Sequence, residues 1–224
     1  MRGVFVTGTD TGVGKSVLAA AICAGLAARG ERVAAFKPVV TGLDDPPGEW
    51  PPDHELLAAA ASAGQSPEEI APLRFGPPAS PHLAAELAGE RIEPTELVAA
   101  ARAAGEGADA LVCEGVGGLM VPITPGYLVR DLAVDLGLPL VIAARPGLGT
   151  INHSLLTVEA ARAAGLDPRA VILTPWPEQA SAVEQSNRDT IASLAAVDVA
   201  TLGHTGPSAL TSAAEHLPLA DWLA

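Results

Sequence analysis

The chain has 224 residues, 49% hydrophobic and only 3% aromatic, which suffices for one α/β domain with a core mainly of Ala, Val, Leu and Ile. Its formal net charge of −13 argues against a nucleic-acid partner, which normally needs a basic stripe, and against adhesion to an anionic membrane. The sequence contains no apolar stretch of about 20 residues and does not open with a signal peptide, so we expect a cytoplasmic protein.

Short β-like runs alternate with Ala-rich helical runs, which predicts an α/β fold with a mainly parallel sheet and helices on both faces. No linker or internal repeat divides the chain, so we expect a single domain over residues 1–224. In chain order, the predicted strands are Val4–Thr7, Val33–Phe36, Ala110–Cys113, Leu138–Ala143, Ala170–Leu173 and Val197–Leu202. The predicted helices are Ser16–Ala28, Asp53–Ala63, Pro94–Ala103, Thr150–Ala164 and Ala182–Ala195.

The first predicted strand runs into a glycine-rich loop, GTDTGVGKS at residues 8–16, after which a helix begins. Glycines allow backbone N–H groups to converge on phosphate oxygens, and a helix N-terminus adds partial positive charge. In such a loop Lys15 reaches the β- and γ-phosphates, and the Ser16 hydroxyl ligates Mg²⁺. The usual motif has four residues between its glycines, whereas Gly8 and Gly14 enclose five. We predict an ATP site; a glycine-rich turn that binds nothing is the alternative.

Lysine is scarce in this chain. Eleven of the thirteen basic residues are Arg, and the only lysines are Lys15 and Lys37, which makes both candidates for roles that need a compact ammonium. Lys37 follows the second predicted strand, and in a doubly wound sheet the C-terminal ends of neighbouring strands open onto one crevice. We therefore expect Lys37 to face the nucleotide; a surface lysine held in a turn is the alternative.

Acidic residues at two positions are candidate metal ligands. Glu114 follows the strand Ala110–Cys113, at a strand end where a carboxylate can ligate Mg²⁺ directly or through water. The glycines within 115–118 leave room for a substrate against the backbone. Asp53, a predicted N-cap, is the second candidate. Three other acidic residues compete with it: Asp44, Asp45 and Glu55.

The two cysteines, Cys23 and Cys113, lie in apolar runs and are expected to be buried, reduced thiols. None of the five histidines has a Cys or His neighbour at metal-ligand spacing, so a zinc site is not expected.

Several segments resemble the dethiobiotin synthetase family and keep its order and spacing from residue 6 to about 165. They are Val6–Ser16, which includes the family's extra loop residue, Lys37–Val39 with Thr41–Gly42, Ser80–Ala85, Glu114–Gly118 and Gly147–Thr157. The resemblance implies a P-loop enzyme that makes dethiobiotin from 7,8-diaminopelargonic acid, CO₂ or bicarbonate, and ATP. One amine forms a carbamate, ATP phosphorylates it, and the second amine closes the ureido ring, releasing ADP and phosphate.

The resemblance also implies residue roles. Lys37, Lys15 and Thr11 would be catalytic, with Lys37 holding the carbamate and the transferring phosphoryl group. Ser16, Asp53 and Glu114 would ligate Mg²⁺. The substrate-binding residues would be Thr11, Lys37, Thr41, Gly118, Thr150, Ile151 and Asn152, the last three receiving the substrate carboxylate across a homodimer interface. The nucleotide-binding residues would be Gly12, Val13, Gly14, Lys15, Ser16, Val17, Asp53, Glu114, Gly115, Val116, Gly117, Thr174, Pro175, Gly203, His204 and Thr205.

The chain departs from the family pattern at a few positions. Gly12 stands where some members carry an acidic residue, and Val116 replaces the usual alanine. Many members place an adenine-reading asparagine after the strand that corresponds to Ala170–Leu173, whereas this chain has Thr174–Trp176. The segment Gly203–Gly206 lacks the proline often found near the base. Because specificity depends on buried polar groups matched to the ligand, we predict a relaxed nucleotide preference.

Two other functions compete with this interpretation. Amidoligases acting on cobyrinic-acid-type corrinoids share the phosphate loop but usually carry a following glutaminase domain, for which 224 residues leave no room. Dimerising ATPase switches of the ParA and MinD type carry an additional lysine early in the loop, where this chain reads Thr9-Asp10-Thr11. Turnover that depends on the diamine and bicarbonate would separate a ligase from a switch.

Overall fold

The computed structural model describes residues 1–46 and 48–223. Its strands are β1 (Gly3–Gly8), β2 (Val33–Phe36), β3 (Val39–Val40), β4 (Leu73–Arg74), β5 (Ala110–Gly118), β6 (Pro122–Thr124), β7 (Tyr127–Leu128), β8 (Leu140–Ala144), β9 (Pro168–Trp176) and β10 (Asp198–Gly203). Its α-helices are α1 (Lys15–Ala27), α2 (Asp53–Ala60), α3 (Pro67–Ile70), α4 (Pro81–Ala88), α5 (Pro94–Ala104), α6 (Val129–Leu136), α7 (Thr150–Ala163), α8 (Ala182–Ala195), α9 (Leu210–Ala214) and α10 (Leu219–Trp222).

Six strands form one fully parallel sheet in the order β10-β9-β8-β1-β5-β2. The pairs β3–β4 and β6–β7 form two small separate sheets. All six predicted strands are in the large sheet, which confirms the α/β fold class. Since its strands are parallel, their C-terminal ends lie along one edge, and the loops that leave this edge carry the candidate site.

Apolar side chains cover both faces of the sheet because neighbouring residues of a strand point to opposite sides. On β1, Val4 and Val6 pack with α1, α2, α9 and α10, whereas Phe5 packs with α4 to α8. The two cysteines are buried and unpaired on opposite faces, Cys23 in the first cluster and Cys113 in the second. The prediction of buried free thiols is therefore confirmed.

The five predicted helices are present, but the pattern of the sequence did not predict five short ones: α3, α4, α6, α9 and α10. Two boundaries also differ in ways that matter for the site. The third predicted strand does not end at Cys113; β5 continues to Gly118, so Glu114 lies within the strand. Asp53 is the first helical residue of α2 and not its N-cap, a position held by Pro52. In the part of the chain that the structure describes, no helix is long and apolar enough to cross a bilayer.

Candidate active site

The phosphate loop, residues 8–16, joins the C-terminal end of β1 to α1. Gly12 and Gly14 adopt left-handed backbone angles, with φ of 67° and 88°, which an L side chain would strain. Among residues 1–46 and 48–223, no acceptor takes a hydrogen bond from five successive backbone N–H groups of this loop: Gly12, Val13, Gly14, Lys15 and Ser16. Successive free donors at a helix N-terminus form a cradle for an anion.

Lys15 lies folded against its own loop. Its Nζ donates to the carbonyl oxygen of Asp10 at 2.9 Å, and the side chain is almost fully buried. Burial lowers the pKa of Lys15 to about 8, although the nearby Glu114 carboxylate opposes this shift. The ammonium therefore needs an additional negative charge to hold its proton firmly, and a bound phosphate would supply it.

Lys37 is the centre of a buried ion-pair group. Its Nζ lies 2.5 Å from Oε1 of Glu114 and 2.8 Å from Oδ2 of Asp53. Burial alone would lower the pKa of Lys37, but the attraction of the two carboxylates outweighs it and raises the pKa. Burial raises the pKa of Glu114 despite Lys37, while for Asp53 the attraction of Lys37 outweighs burial and lowers the pKa. Lys37 is thus a fully charged ammonium held by two carboxylates.

The oxygen atoms beside Lys37 fit a hard divalent cation. Ser16 Oγ donates to Oε1 of Glu114 at 2.8 Å, and Asp53 also lies within hydrogen-bonding reach of Ser16. Glu114 is fully buried, and in the described structure its Oε2 has no hydrogen-bond partner. Oxygen-only ligands with at most two carboxylates, next to a phosphate cradle, are the arrangement in which proteins hold Mg²⁺. Of the four acidic residues that competed for the second ligand, Asp53 is the one that pairs with Lys37.

A cavity of about 760 Å³ connects these groups. At one end lie Lys15, Ser16, Lys37 and Asp53; at the other lies a neutral wall, which we call the base end: Thr174, Pro175, Gly203, His204 and Thr205. Cγ2 of Thr174 lies 3.0 Å from where a Cβ on Gly14 would stand, so the end of β9 packs directly on the phosphate loop. The cavity is large enough for a nucleotide and a second small substrate.

Most of the predicted site residues line this cavity: Thr11, Gly12, Gly14, Lys15, Ser16, Val17, Lys37, Thr41, Asp53, Val116, Gly117, Thr174, Pro175, Gly203, His204 and Thr205. Of the others, Val13 is buried in the core, and Glu114 lies behind Lys37 with Gly115 and Gly118 beside it on β5. Thr150, Ile151 and Asn152 begin α7 and do not line the cavity of their own chain. Their predicted role across a dimer interface stays a prediction.

Sequence reasoning missed several residues of the site. Trp50 and Leu56 form an apolar wall beside Val17, and Asp45, Glu49 and Pro78 to Pro81 close another side. Outside the cavity, Arg145 donates a hydrogen bond to the Thr11 carbonyl oxygen. The Ser80-Pro81 pair lies in a segment that carries the family resemblance, and this was a usable signal. The isolated Trp50 and Arg145 belong to no motif.

Comparison with known proteins agrees with this geometry. A family described as an AAA domain matches residues 2–207. An ATP-dependent dethiobiotin synthetase BioD of Anaeromyxobacter dehalogenans strain 2CP-1 is 42% identical over 94% of this chain and 89% of the relative. The BioD of Bacillus subtilis strain 168 is 35% identical over 89% of this chain and 85% of the relative. The chain belongs to the dethiobiotin synthetase family. The prediction of an ATP-dependent ligase of biotin biosynthesis is confirmed.

Solved structures resemble this dethiobiotin synthetase family member in fold alone. A ParA family ATPase from Chlorobium tepidum has a TM-score of 0.57 at 12% identity, covering 95% of this chain and 88% of that one. A MinC:MinD complex from Aquifex aeolicus gives the same TM-score and identity, covering 95% and 86%. At this identity the likeness extends to the P-loop sheet and its helices, and the ParA and MinD type of switch is a distant relative by fold.

Proposed function

We propose that the chain joins CO₂ to 7,8-diaminopelargonic acid and closes the ureido ring of dethiobiotin at the expense of ATP. One amine adds to CO₂ and loses a proton, giving a carbamate. A carbamate oxygen then takes the γ-phosphoryl group, releasing ADP, and the second amine attacks the mixed anhydride, expelling phosphate. Every intermediate is anionic, so catalysis requires positioned positive charge and N–H donors more than a nucleophilic side chain.

The observation that carries this proposal is the position of Lys37. It is buried, charged, and shares one cavity with the phosphate loop and Thr41. An ammonium there can bind both the carbamate and the phosphoryl group that moves onto it, while Lys15 and the free loop N–H groups hold the remaining phosphates. Thr11 and Thr41, on the same cavity wall, would donate hydrogen bonds to the carbamate.

Ser16, Asp53 and Glu114 would hold Mg²⁺, which when bound supplies positive charge to the phosphate oxygens. The buried Oε2 of Glu114, which lacks a partner in the described structure, supports this role. In the absence of the cation, Lys37 neutralises the same two carboxylates. Neutralisation by Lys37 prevents two neighbouring carboxylates from repelling each other in the buried site.

A homodimer would complete the substrate site by placing the N-terminus of α7 near the substrate carboxylate. The surface beside this helix supports an interface of this kind. Leu148, in the loop before α7, is 95% exposed, and Leu156 on the helix is 56% exposed. Exposed aliphatic side chains grouped on one surface favour burial against a partner. The two buried free thiols are consistent with the reducing cytoplasm.

Phosphate release tests the proposed reaction directly. The purified protein, Mg²⁺ and ATP are incubated with the diamine and bicarbonate, with each one alone, and with neither, and dethiobiotin is quantified by mass spectrometry. The proposal requires both co-substrates for phosphate release, with one dethiobiotin formed per phosphate. Phosphate release at the same rate without the diamine would instead indicate an ATPase switch.

A further inference from the structure

A buried side-chain amide holds the loop between β8 and α7. Asn187 on α8 is 5% exposed, and its Nδ2 donates to the carbonyl oxygens of Pro146 at 2.9 Å and Gly147 at 3.1 Å. Both hydrogens of the amide are thereby used. Two contacts to successive carbonyls fix the course of a loop that would otherwise be mobile.

Arg145 lies at the start of the same loop and reaches the phosphate loop. Its Nη2 donates to the carbonyl oxygen of Thr11 at 3.1 Å. The same nitrogen lies 3.5 Å from where a Cβ on Gly12 would stand. The guanidinium therefore packs on the outer side of the peptide that joins Thr11 to Gly12, and it does not line the cavity.

This contact determines where the Gly12 N–H points. The Thr11–Gly12 peptide is trans, so its C=O and its N–H point in opposite directions. The carbonyl is held towards Arg145, and the Gly12 N–H is consequently directed away from it. The neighbouring Thr11 N–H already donates to Asp10 Oδ1 at 2.7 Å, so it is not free for a ligand.

Gly12 itself does not fix this orientation. With φ of 67° it is in a region that glycine enters and leaves at little energetic cost. Rotation of the peptide would exchange its C=O and N–H, presenting a carbonyl oxygen to an anion. An external hydrogen bond to the carbonyl prevents this exchange, and Arg145 supplies one.

We propose that Arg145 is a positioning residue for phosphoryl transfer and that Asn187 acts through it. Arg145 holds the Thr11 carbonyl outward, so that the Gly12 N–H is preoriented towards the oxygen on which negative charge develops. A donor that is already aimed requires no reorganisation during the reaction, which is how such donors lower a barrier. The inference rests on the proposed function, since the anion in question is the phosphoryl group moving to the carbamate.

The first test compares Arg145→Ala, Arg145→Lys and a matched control. Arg145→Ala should lower kcat for dethiobiotin formation at least about tenfold, because a donor to the developing charge is lost. The Kd for ADP should change less than about threefold, because the N–H groups of Gly14 to Ser16 and Lys15 still bind its phosphates. Arg145→Lys should restore part of kcat.

Arg162→Ala is the control. Arg162 is also exposed, and its Nη2 also donates to a backbone oxygen at 3.1 Å, but that oxygen belongs to Ala196, far from the phosphate loop in the fold. This variant should retain wild-type kcat. A wild-type kcat in Arg145→Ala, or an equal loss of kcat and ADP affinity, would overturn the inference. If the wild type itself forms no dethiobiotin, the proposed function fails instead.

The second test asks whether Asn187 acts through Arg145. Asn187→Ala should lower kcat in the same direction, and the double variant with Arg145→Ala should be no slower than Arg145→Ala alone, because residues of one contact chain are not additive. Gln185→Ala on the same helix is the control, since its amide also donates to a backbone oxygen, that of Ala180 at 3.0 Å. Multiplied losses in the double variant would refute the action through Arg145.

Discussion

The two ends of the cavity are built from different chemistry. The phosphate end combines two buried lysines, two carboxylates, a hydroxyl and a row of free N–H groups. The base end consists of Thr174, Pro175, Gly203, His204 and Thr205, with neither a carboxylate nor a side-chain amide. A charged, preorganised end can bind and activate any triphosphate, whereas a neutral wall of small residues provides few groups that distinguish one base from another. The energy of recognition is therefore concentrated on the phosphates.

Replacement of Lys37 should cause the largest effect at the phosphate end. Lys37→Ala should lower kcat for ring closure by about 10³-fold or more, the size found for cations that stabilise phosphoryl transfer. ADP should still bind, because Lys15 and the loop N–H groups remain. Enzyme assays and calorimetric ADP titration provide the two measurements.

Lys37→Arg is the matched variant. It retains a positive charge between Asp53 and Glu114 and should preserve the fold, yet a planar guanidinium cannot reproduce a compact ammonium, so most of the activity should be lost. Ring closure within a few-fold of wild type in Lys37→Ala, with ADP still bound, would remove Lys37 from the mechanism.

Gly14→Ala should have the next largest effect. A Cβ at this position would be strained by φ of 88° and would stand 3.0 Å from Cγ2 of Thr174. Because both the loop and the end of β9 would have to move, we expect the ADP affinity to fall about 10²-fold.

Gly30→Ala is a control with the same backbone strain. Gly30 has φ of 85°, but a Cβ there would meet no atom within 4 Å. It should lower the unfolding free energy by about 1 kcal/mol without changing ADP affinity. Equal ADP affinity in both variants would show that strain alone, and not the contact with Thr174, explains the Gly14 effect.

At the base end we predict weak discrimination. The values of kcat/KM for ATP, CTP and GTP should lie within about a hundredfold of one another, because no side-chain amide or carboxylate at this wall selects one base edge. Steady-state assays with each triphosphate and saturating diamine measure this ratio. A preference for ATP above that limit would show that backbone groups or His204 read adenine, and the comparison between the two ends would lose its basis.

The accuracy of prediction from sequence differs in the same way between parts of the molecule. The six strands of the main sheet were predictable since they are continuous apolar runs, and the phosphate loop was predictable because its glycines and Lys15 have fixed spacing. Short helices such as α3 and α9 span too few residues to show a period. Asp53 could not be separated from its competitors because its pairing with Lys37 joins distant segments. Arg145 and Asn187 act through backbone carbonyls, and such contacts leave no pattern of side chains.

The smallest predicted effect concerns Lys15 and pH. The pKa of Lys15 in the free protein is about 8, lowered mainly by burial, and bound phosphates should raise it because they favour the charged form. ADP binding should therefore take up a proton at pH values above 8, and affinity should fall by at most about tenfold per pH unit there. Titration calorimetry in two buffers of different ionisation enthalpy measures this uptake. In Lys15→Arg the guanidinium stays charged throughout this range, so the pH dependence should disappear. An unchanged dependence in that variant would assign the proton to another group and leave Lys15 charged before the nucleotide arrives.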